Sequence, residues 1–411
     1  MINALRGMKD VFFEDGEKFE KFLEIAVKSA KNYGFTQIET PVLEETGLFL
    51  RSVGESSDIV GKEMYRFKDK GENDVCMRPE GTAGVVRAFV EKKLDRTGLN
   101  YKFYYHGTMY RYERPQKGRL RQFHQFGVES FGEQSPLEDG AMILMAAEIF
   151  TKLGIGFSLK LNSLGCKTCV PDYRQSLVEK LKTVESELCD DCKRRIETNP
   201  MRVFDCKNKK CQTILTGFPR ITDALCDECK SDFETVKKAL DCSNIGYEID
   251  KNLVRGLDYY TKTAFEFVSN EIGAQSSIAG GGRYDALIES LDGRPTPAVG
   301  FAIGIERILD LITLDEKKRN GVFVAPLCED GVFAAFKTAA ALRQKTVTHL
   351  GYAPKSAKNY LKAADRQNTL WFVGIGEDEI KENKIWLKNL QTKEESKISF
   401  EELENICFEE N

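Results

Sequence analysis

YKFYYHGTMYRYERPQKGRLRQFHQFGVESFG, residues 101–132, is the stretch that decides the fold. Its two ends, 101–113 and 121–132, are rich in tyrosine and phenylalanine, the residues that favour strands. The loop between them, 114–120, is basic and contains proline and glycine, so the natural reading is an antiparallel hairpin with a long connection. On such a hairpin Arg111 offers a planar, multidentate donor for a phosphate, and Phe123 on the return strand offers a stacking face for a base. Taken alone, Arg111-x-Glu113 reads rather as a cross-strand ladder with surface arginines; the agreement of several independent segments is what favours the nucleotide reading.

Working outward, residues 17–33 place Phe19, Phe22, Leu23, Ile25, Ala26 and Ala30 at helical spacing, and Gly34 follows as a stop. A short strand is expected over 35–40. A helix opening at Pro79 with Glu80 in its first turn is expected over 79–94. A further helix at 138–153, a strand at 157–164, strand-like sequence at 247–270, a glycine run at 280–282 and a helix at 303–312 follow. Between 166 and 245 the composition changes: nine of the twelve cysteines lie there among short charged segments, which reads as an inserted helical domain. DEKKRNG (315–321) is polar and patternless, a linker. Beyond it strands and helices alternate, as in a small α/β domain. The expected architecture is α+β, divided as 1–165 and 246–314 for a core in two parts, 166–245 for the insertion and 321–411 for the terminal domain.

With 411 residues the chain is too long for one core, and 41% hydrophobic with 30% charged residues is a globular composition. The opening MINALRGMKDVFFEDGEKF carries charges throughout, so no signal peptide is read, and no apolar run is long enough to span a membrane. A cytoplasmic location follows as the expectation. The net charge of −4 argues weakly against a polyanionic partner. Two basic stretches run against it, 111–122 and 343–366. Three histidines, His106, His124 and His349, argue against any relay or metal site that needs several imidazoles.

Three segments, TQIETPVLEETGLF (36–49), YRYERPQKGRLRQFHQFGVE (110–129) and GFAIGIER (300–307), resemble the three signature motifs of class II aminoacyl-tRNA synthetases in their usual order. LVRGLDYYTKTAFEF (253–267) and AGGGRYD (279–285) are similar to the two blocks particular to the histidyl-tRNA synthetase family. The resemblance is close over 4–165 and 245–312 and looser over 320–411, which resembles the family's anticodon-binding domain. It implies an antiparallel sheet flanked by helices, a homodimer joined through motif 1, and a ligase that activates L-histidine with ATP and Mg²⁺ and passes it to tRNA(His). It implies that Arg111, Glu113, Arg119, Phe123 and Arg307 bind ATP, with Arg255 and Arg111 as the catalytic cations. It assigns histidine to Glu80, Gly81, Thr82, Gln125, Glu129, Tyr259, Tyr260 and Tyr284, and the tRNA acceptor end to Arg114, Gln116 and Arg121. The chemistry is coherent, because a neutral imidazole presents one N–H and one acceptor nitrogen, which Glu129 and the Tyr260 hydroxyl can meet.

Cys166-x₂-Cys169, Cys189-x₂-Cys192, Cys206-x₄-Cys211 and Cys226-x₂-Cys229 have zinc-like spacing. The four expected to hold a structural zinc are Cys166, Cys169, Cys226 and Cys229, which would clasp the two ends of the insertion; ordinary thiols are the alternative. Two rival functions share this sequence class: a histidine-sensing regulatory subunit of histidine biosynthesis, and an inactive interaction module. Both fit poorly with the retained Arg111, Arg255 and Arg307.

Overall fold

Alternation along the strand Gln122–Phe131 sets the two faces of the main sheet. Phe126 and Val128 are fully buried on one side, while Phe123, Gln125 and Glu129 face a cleft on the other, as the two-residue period of a strand requires. In the computed structural model, which describes residues 2–54, 57, 59–272, 277–404 and 406, this strand lies inside an eight-stranded sheet. The spatial order is Thr36–Gln37, Tyr101–Tyr110, Gln122–Phe131, Ala298–Gly304, Ser277–Arg283, Thr261–Val268, Ser158–Ser163 and Glu248–Ile249. The six central strands pair antiparallel, and the two-residue strands at the edges pair parallel.

Helices Phe13–Asn32 and Pro136–Lys152 cover one face, burying Phe22, Ala26, Ile149 and Phe150 against Leu159, Leu161, Phe265, Phe267 and Phe301 of the strands. Each of these side chains except the small Ala26 contributes about 1.5–3 kcal/mol on burial. The opposite face is partly covered by helix Thr82–Glu91, whose Val85, Val86 and Phe89 pack on Tyr105, Met109 and Phe131. The remainder of that face is open and forms the cleft.

Several boundaries differ from the sequence expectation for local reasons. The helix expected to open at Pro79 begins at Thr82, because the Glu80 carboxylate accepts from the N–H groups of Thr82 (2.9 Å) and Ala83 (2.7 Å) and so caps the first turn. The helix expected over 303–312 is shorter: the strand continues to Gly304, Ile305–Ile308 is helical and Leu309–Leu311 tightens into a 3₁₀ turn. The strand expected over 35–40 is reduced to Thr36–Gln37. The glycine stop holds, with Gly34 at φ +84° just past helix Phe13–Asn32.

The cysteine-rich segment folds as helices Val170–Thr183, Asp190–Thr198, Lys209–Leu215 and Asp227–Cys242 around a small core of its own. Its last helix also sends Phe233, Val236 and Leu240 into the core beneath the main sheet. The chain up to Leu314 is one compact unit, and a second begins at Asp315. The second unit has a five-stranded sheet in the order Thr348–Leu350, Val322–Pro326, Trp371–Ile375, Lys384–Asn389 and Glu395–Ser399. Helices Gly331–Leu342 and Ala357–Arg366 pack on its two faces, the first against Val322 and Val324 and the second against Phe323 and Ala325. Among the described residues no helix is long and apolar enough to cross a membrane.

Candidate active site

One solvent-connected cleft of about 1060 Å³ gathers residues from six separate stretches of the chain. Its phosphate-facing end is built on the hairpin. Arg111 follows directly on strand Tyr101–Tyr110, donates through Nε to Pro79 O (2.8 Å) and lies 5.3 Å from the Phe123 ring centroid. Glu113 stands between two arginines, 3.9 Å from Arg111 Nη1 and 3.3 Å from Arg119 Nη1. A tight turn brings Arg119 back over the cleft: Gln116 and Arg119 exchange backbone hydrogen bonds, and Gly118 takes φ +73°, a conformation open to glycine without strain. Arg307 enters from the end of the neighbouring strand and is anchored by Gly118 O (3.2 Å) and Ser277 O (2.9 Å). Burial, then the nearby Arg111 and Arg119, depress the Arg307 pKa. Three guanidiniums held this close want a polyanion between them.

Glu306 and Arg307 do not form the helix-surface pair that the segment alone would suggest. Glu306 turns away to accept from the His124 backbone N–H (2.8 Å) and pairs with its Nδ1 (2.6 Å), fixing the short helix to the hairpin.

The inner end is a carboxylate pocket. Glu129 is 1% exposed and accepts from Thr82 Oγ1 (2.7 Å), Tyr105 OH (3.4 Å) and Tyr284 OH. Burial pushes its pKa up to about 8 despite these donors. Glu80 is buried beside it and likewise raised, burial outweighing the two N–H bonds that it caps. Tyr259 and Tyr260 close the pocket, their ring centroids 4.7 Å apart, and Tyr259 packs edge-on against Tyr284 at 5.6 Å. Gln125 Oε1 is buried without a hydrogen-bond partner. So is Arg255 Nε, and such orphaned groups in a cleft mark where a ligand belongs.

Arg255 comes from the loop before strand Thr261–Val268. Its Nη1 is paired with Glu266, and its guanidinium carbon lies 5.7 Å from the Tyr260 ring centroid. Burial opposes its charge, but the Glu266 carboxylate holds its pKa above the usual arginine value. The glycine run explains its position: a Cβ on Gly280 would stand 2.0 Å from Arg255 Nη2, so only glycine lets that side chain lie across the sheet. Gly300 does the same for Glu129, with Oε2 at 2.0 Å from a built Cβ.

The cleft therefore brings together Glu80, Thr82, Gln125, Glu129, Tyr259, Tyr260 and Tyr284 with Arg111, Glu113, Arg119, Phe123, Arg255 and Arg307. Gly81 does not line it; a Cβ there would meet the Tyr105 ring at 2.2 Å, so the position makes room for a tyrosine under the pocket. Arg114 and Gln116 are exposed on the hairpin loop outside the cleft, and Arg121 stacks 3.8 Å over the Tyr112 ring. The arginine of AGGGRYD is also outside: Arg283 forms a buried ion pair with Asp139 (Nε–Oδ1 2.9 Å). Sequence reasoning missed Tyr105 and Glu266. Both sit on strands that alternate inward toward the cleft, and that alternation was the available signal. In the insertion, Cys166, Cys169, Cys226 and Cys229 converge, with Sγ separations of 3.8 Å (166–169), 3.8 Å (166–226) and 3.9 Å (169–229).

An antiparallel sheet whose hairpin and final strand aim arginines into one cleft defines a class II aminoacyl-tRNA synthetase core. Comparison with known proteins agrees. The histidyl-tRNA synthetase family model matches residues 7–186 and 207–308, and the anticodon-binding domain model matches 321–410. The histidine–tRNA ligase of Sulfurimonas denitrificans is 59% identical over 97% of this chain and 99% of its own length. The apo crystal structure of Staphylococcus aureus histidyl-tRNA synthetase is 36% identical with a TM-score of 0.83, over 98% of this chain and 99% of that one. A Bacillus halodurans structure described as an ATP phosphoribosyltransferase regulatory subunit/histidyl-tRNA synthetase shares the fold at 20% identity and a TM-score of 0.62, over 92% and 98% of the two chains. The chain belongs to the histidyl-tRNA synthetase family.

Proposed function

We propose that the chain activates L-histidine with ATP to histidyl-adenylate and transfers the histidyl group to the 3′ end of tRNA(His). The observation that carries this reading is a single cleft joining a cluster of arginines to a pocket of buried carboxylates and tyrosines. Glu129 accepts from the imidazole N–H, and the Tyr260 hydroxyl serves the other ring nitrogen. Gln125 Oε1, otherwise orphaned, joins Glu80 and Thr82 in receiving the α-ammonium. A site that bonds both ring nitrogens rejects apolar competitors by roughly 10⁴-fold, because those would leave buried polar groups unpaired.

Histidine's carboxylate is ionised at neutral pH and attacks the α-phosphorus, so no general base is required. Charge grows on the non-bridging oxygens as pyrophosphate leaves, and Arg111 and Arg255 stabilise it in place. Phe123 stacks on adenine, while Arg119 and Arg307 hold the outer phosphates. Mg²⁺ would sit beside them, with Glu113, whose Oε2 also faces Arg119 Nη1 at 3.3 Å, as the carboxylate at hand, and would neutralise phosphate charge there. Arg255→Ala should lower histidine-dependent ATP–pyrophosphate exchange by roughly 10²–10³. Exchange near the wild-type rate would remove Arg255 from the mechanism. In the same assay Gln116→Ala leaves exchange intact and lowers charging of tRNA, as expected of Arg114, Gln116 and Arg121 at the acceptor end.

The anticodon end falls to the unit from Asp315, where Lys355, Lys358, Lys362 and Arg366 are exposed. The regulatory-subunit reading would leave this unit and the arginine cluster without a role. Cys166, Cys169, Cys226 and Cys229 suit a structural zinc, because a tetrahedron with Zn–S of about 2.3 Å has edges of about 3.8 Å. Thiols kept free for a metal imply a reducing compartment, the cytoplasm; cell fractionation reads this.

A further inference from the structure

Four more cysteines of the insertion take no part in the cleft or in the zinc reading above. Cys189 precedes helix Asp190–Thr198 and Cys192 lies in its first turn. Cys206 ends the 3₁₀ segment Pro200–Asp205, and Cys211 lies in helix Lys209–Leu215. Three separate stretches thus deliver thiols to one point, where all four sulfur atoms lie within 4.8 Å of one another. Cys189 Sγ is 3.7 Å from Cys206 Sγ. A disulfide needs sulfurs about 2.05 Å apart and joins them in pairs. Four sulfurs gathered within 4.8 Å, with the one pair at 3.7 Å close to the roughly 3.8 Å edge of a tetrathiolate tetrahedron, instead suit a tetrahedral site.

The surrounding backbone is arranged for anionic sulfur. Cys189 N–H donates to Cys211 Sγ (3.3 Å), and Asn208 N–H donates to Cys206 Sγ (3.5 Å). The other four-cysteine group shows the same pattern, with Cys166 N–H to Cys169 Sγ at 3.2 Å and Thr168 N–H to Cys166 Sγ at 3.4 Å. All four donors are soft thiols, which select zinc or iron over magnesium or calcium. A closed tetrahedral set with no open position is a structural rather than a catalytic arrangement. The need is plain too: five of the fourteen fully buried residues in the insertion's core are cysteines, so its aliphatic packing is thin.

We propose that Cys189, Cys192, Cys206 and Cys211 form a second four-thiolate zinc site, which pins the segment Pro200–Asp205 against the loop carrying Arg255. The residue just before that segment, Asn199, touches the catalytic loop directly. Asn199 Nδ2 donates to Asp258 Oδ1 (2.7 Å), and Asn199 and Arg202 share a groove with Arg255, Asp258 and Tyr260. Arg195 Nη1 holds the Arg202 carbonyl at 3.0 Å, so helix Asp190–Thr198 and the 3₁₀ segment move as one piece. A metal at the base of that piece positions the loop, and through it Arg255.

Metal analysis of the full chain, purified without chelator, tests the site. Two zinc ions per chain are expected in the wild type, and one in each of Cys166→Ser and Cys206→Ser. A single zinc that disappears in Cys166→Ser and persists in Cys206→Ser overturns the second site and leaves the first standing. Iron in place of zinc, or no metal, overturns the assignment. Should Cys206→Ser fail to fold, zinc displaced from the folded wild-type chain by an organomercurial gives a second count: two equivalents support the proposal, and one or none contradicts it. The brace is read with Asn199→Ala, which should keep both zinc ions and the KM for ATP while lowering kcat for adenylation several-fold. An unchanged kcat overturns the positioning role.

Discussion

Glu129 holds a proton at neutral pH in the empty chain, and that has a measurable consequence. Its pKa rises from an ordinary value near 4.5 to about 8, because burial outweighs the hydroxyls that surround it. The folded state therefore binds a proton that the unfolded state has released. The resulting stability is fully present below pH of about 4.5 and is lost as pH rises through about 8. Without histidine, the thermal midpoint of the wild type should fall relative to Glu129→Gln between pH of about 5 and 8.5. Parallel midpoints across that range would show that Glu129 is ionised throughout. At this scale the sequence is informative only in part. Motif resemblance leads to Arg111, Glu129 and Arg255, whereas Tyr105 and Glu266 act on Glu129 and Arg255 through side-chain contacts that strand alternation alone does not name. Gly81 is assigned to histidine by the resemblance, whereas the structure shows it leaving space for the Tyr105 ring.

Among the elements, the glycine run Gly280–Gly282 makes room for a neighbouring side chain. Gly280 lies opposite Glu266 in the ladder, and the Arg255 guanidinium crosses the space where a side chain would stand. Gly280→Ala should displace the flexible end of Arg255 rather than the strand. The expected result is a thermal midpoint within a few degrees of wild type with exchange lowered toward the level of Arg255→Ala. A variant that keeps full activity would mean Arg255 acts from another position. The hairpin is legible in the sequence because aromatic runs and a basic glycine loop leave one plausible pairing. The helix over 303–312 is not, since Gly304 ends a central strand whose apolar residues look the same in either conformation. The parallel edge strands fall inside stretches read as strand, but nothing in their sequence shows that each is only two residues long.

For the whole molecule, the linker at 315–321 is readable from its polarity, and the second unit begins at Asp315. The insertion's outline is readable from its cysteines. Its attachment is not, because Phe233, Val236 and Leu240 join the main core from a helix that looks merely amphipathic. The homodimer implied by the resemblance is tested at this scale. Val42, Leu43 and Phe67, on or beside the small sheet that includes motif 1, are 38%, 49% and 45% exposed, an apolar face fit for a second copy. Sedimentation of the wild type as a dimer and of Leu43→Asp as a monomer would support that interface; a wild-type monomer would contradict it. The central claim is that Arg111 and Arg255, from stretches of chain far apart in sequence, meet at one phosphorus beside a pocket for imidazole. A structure of the chain with a non-hydrolysable histidyl-adenylate analogue tests it directly. The account predicts phosphate oxygens within about 3 Å of both guanidiniums and the imidazole against Glu129; an analogue bound with either guanidinium turned away would contradict it.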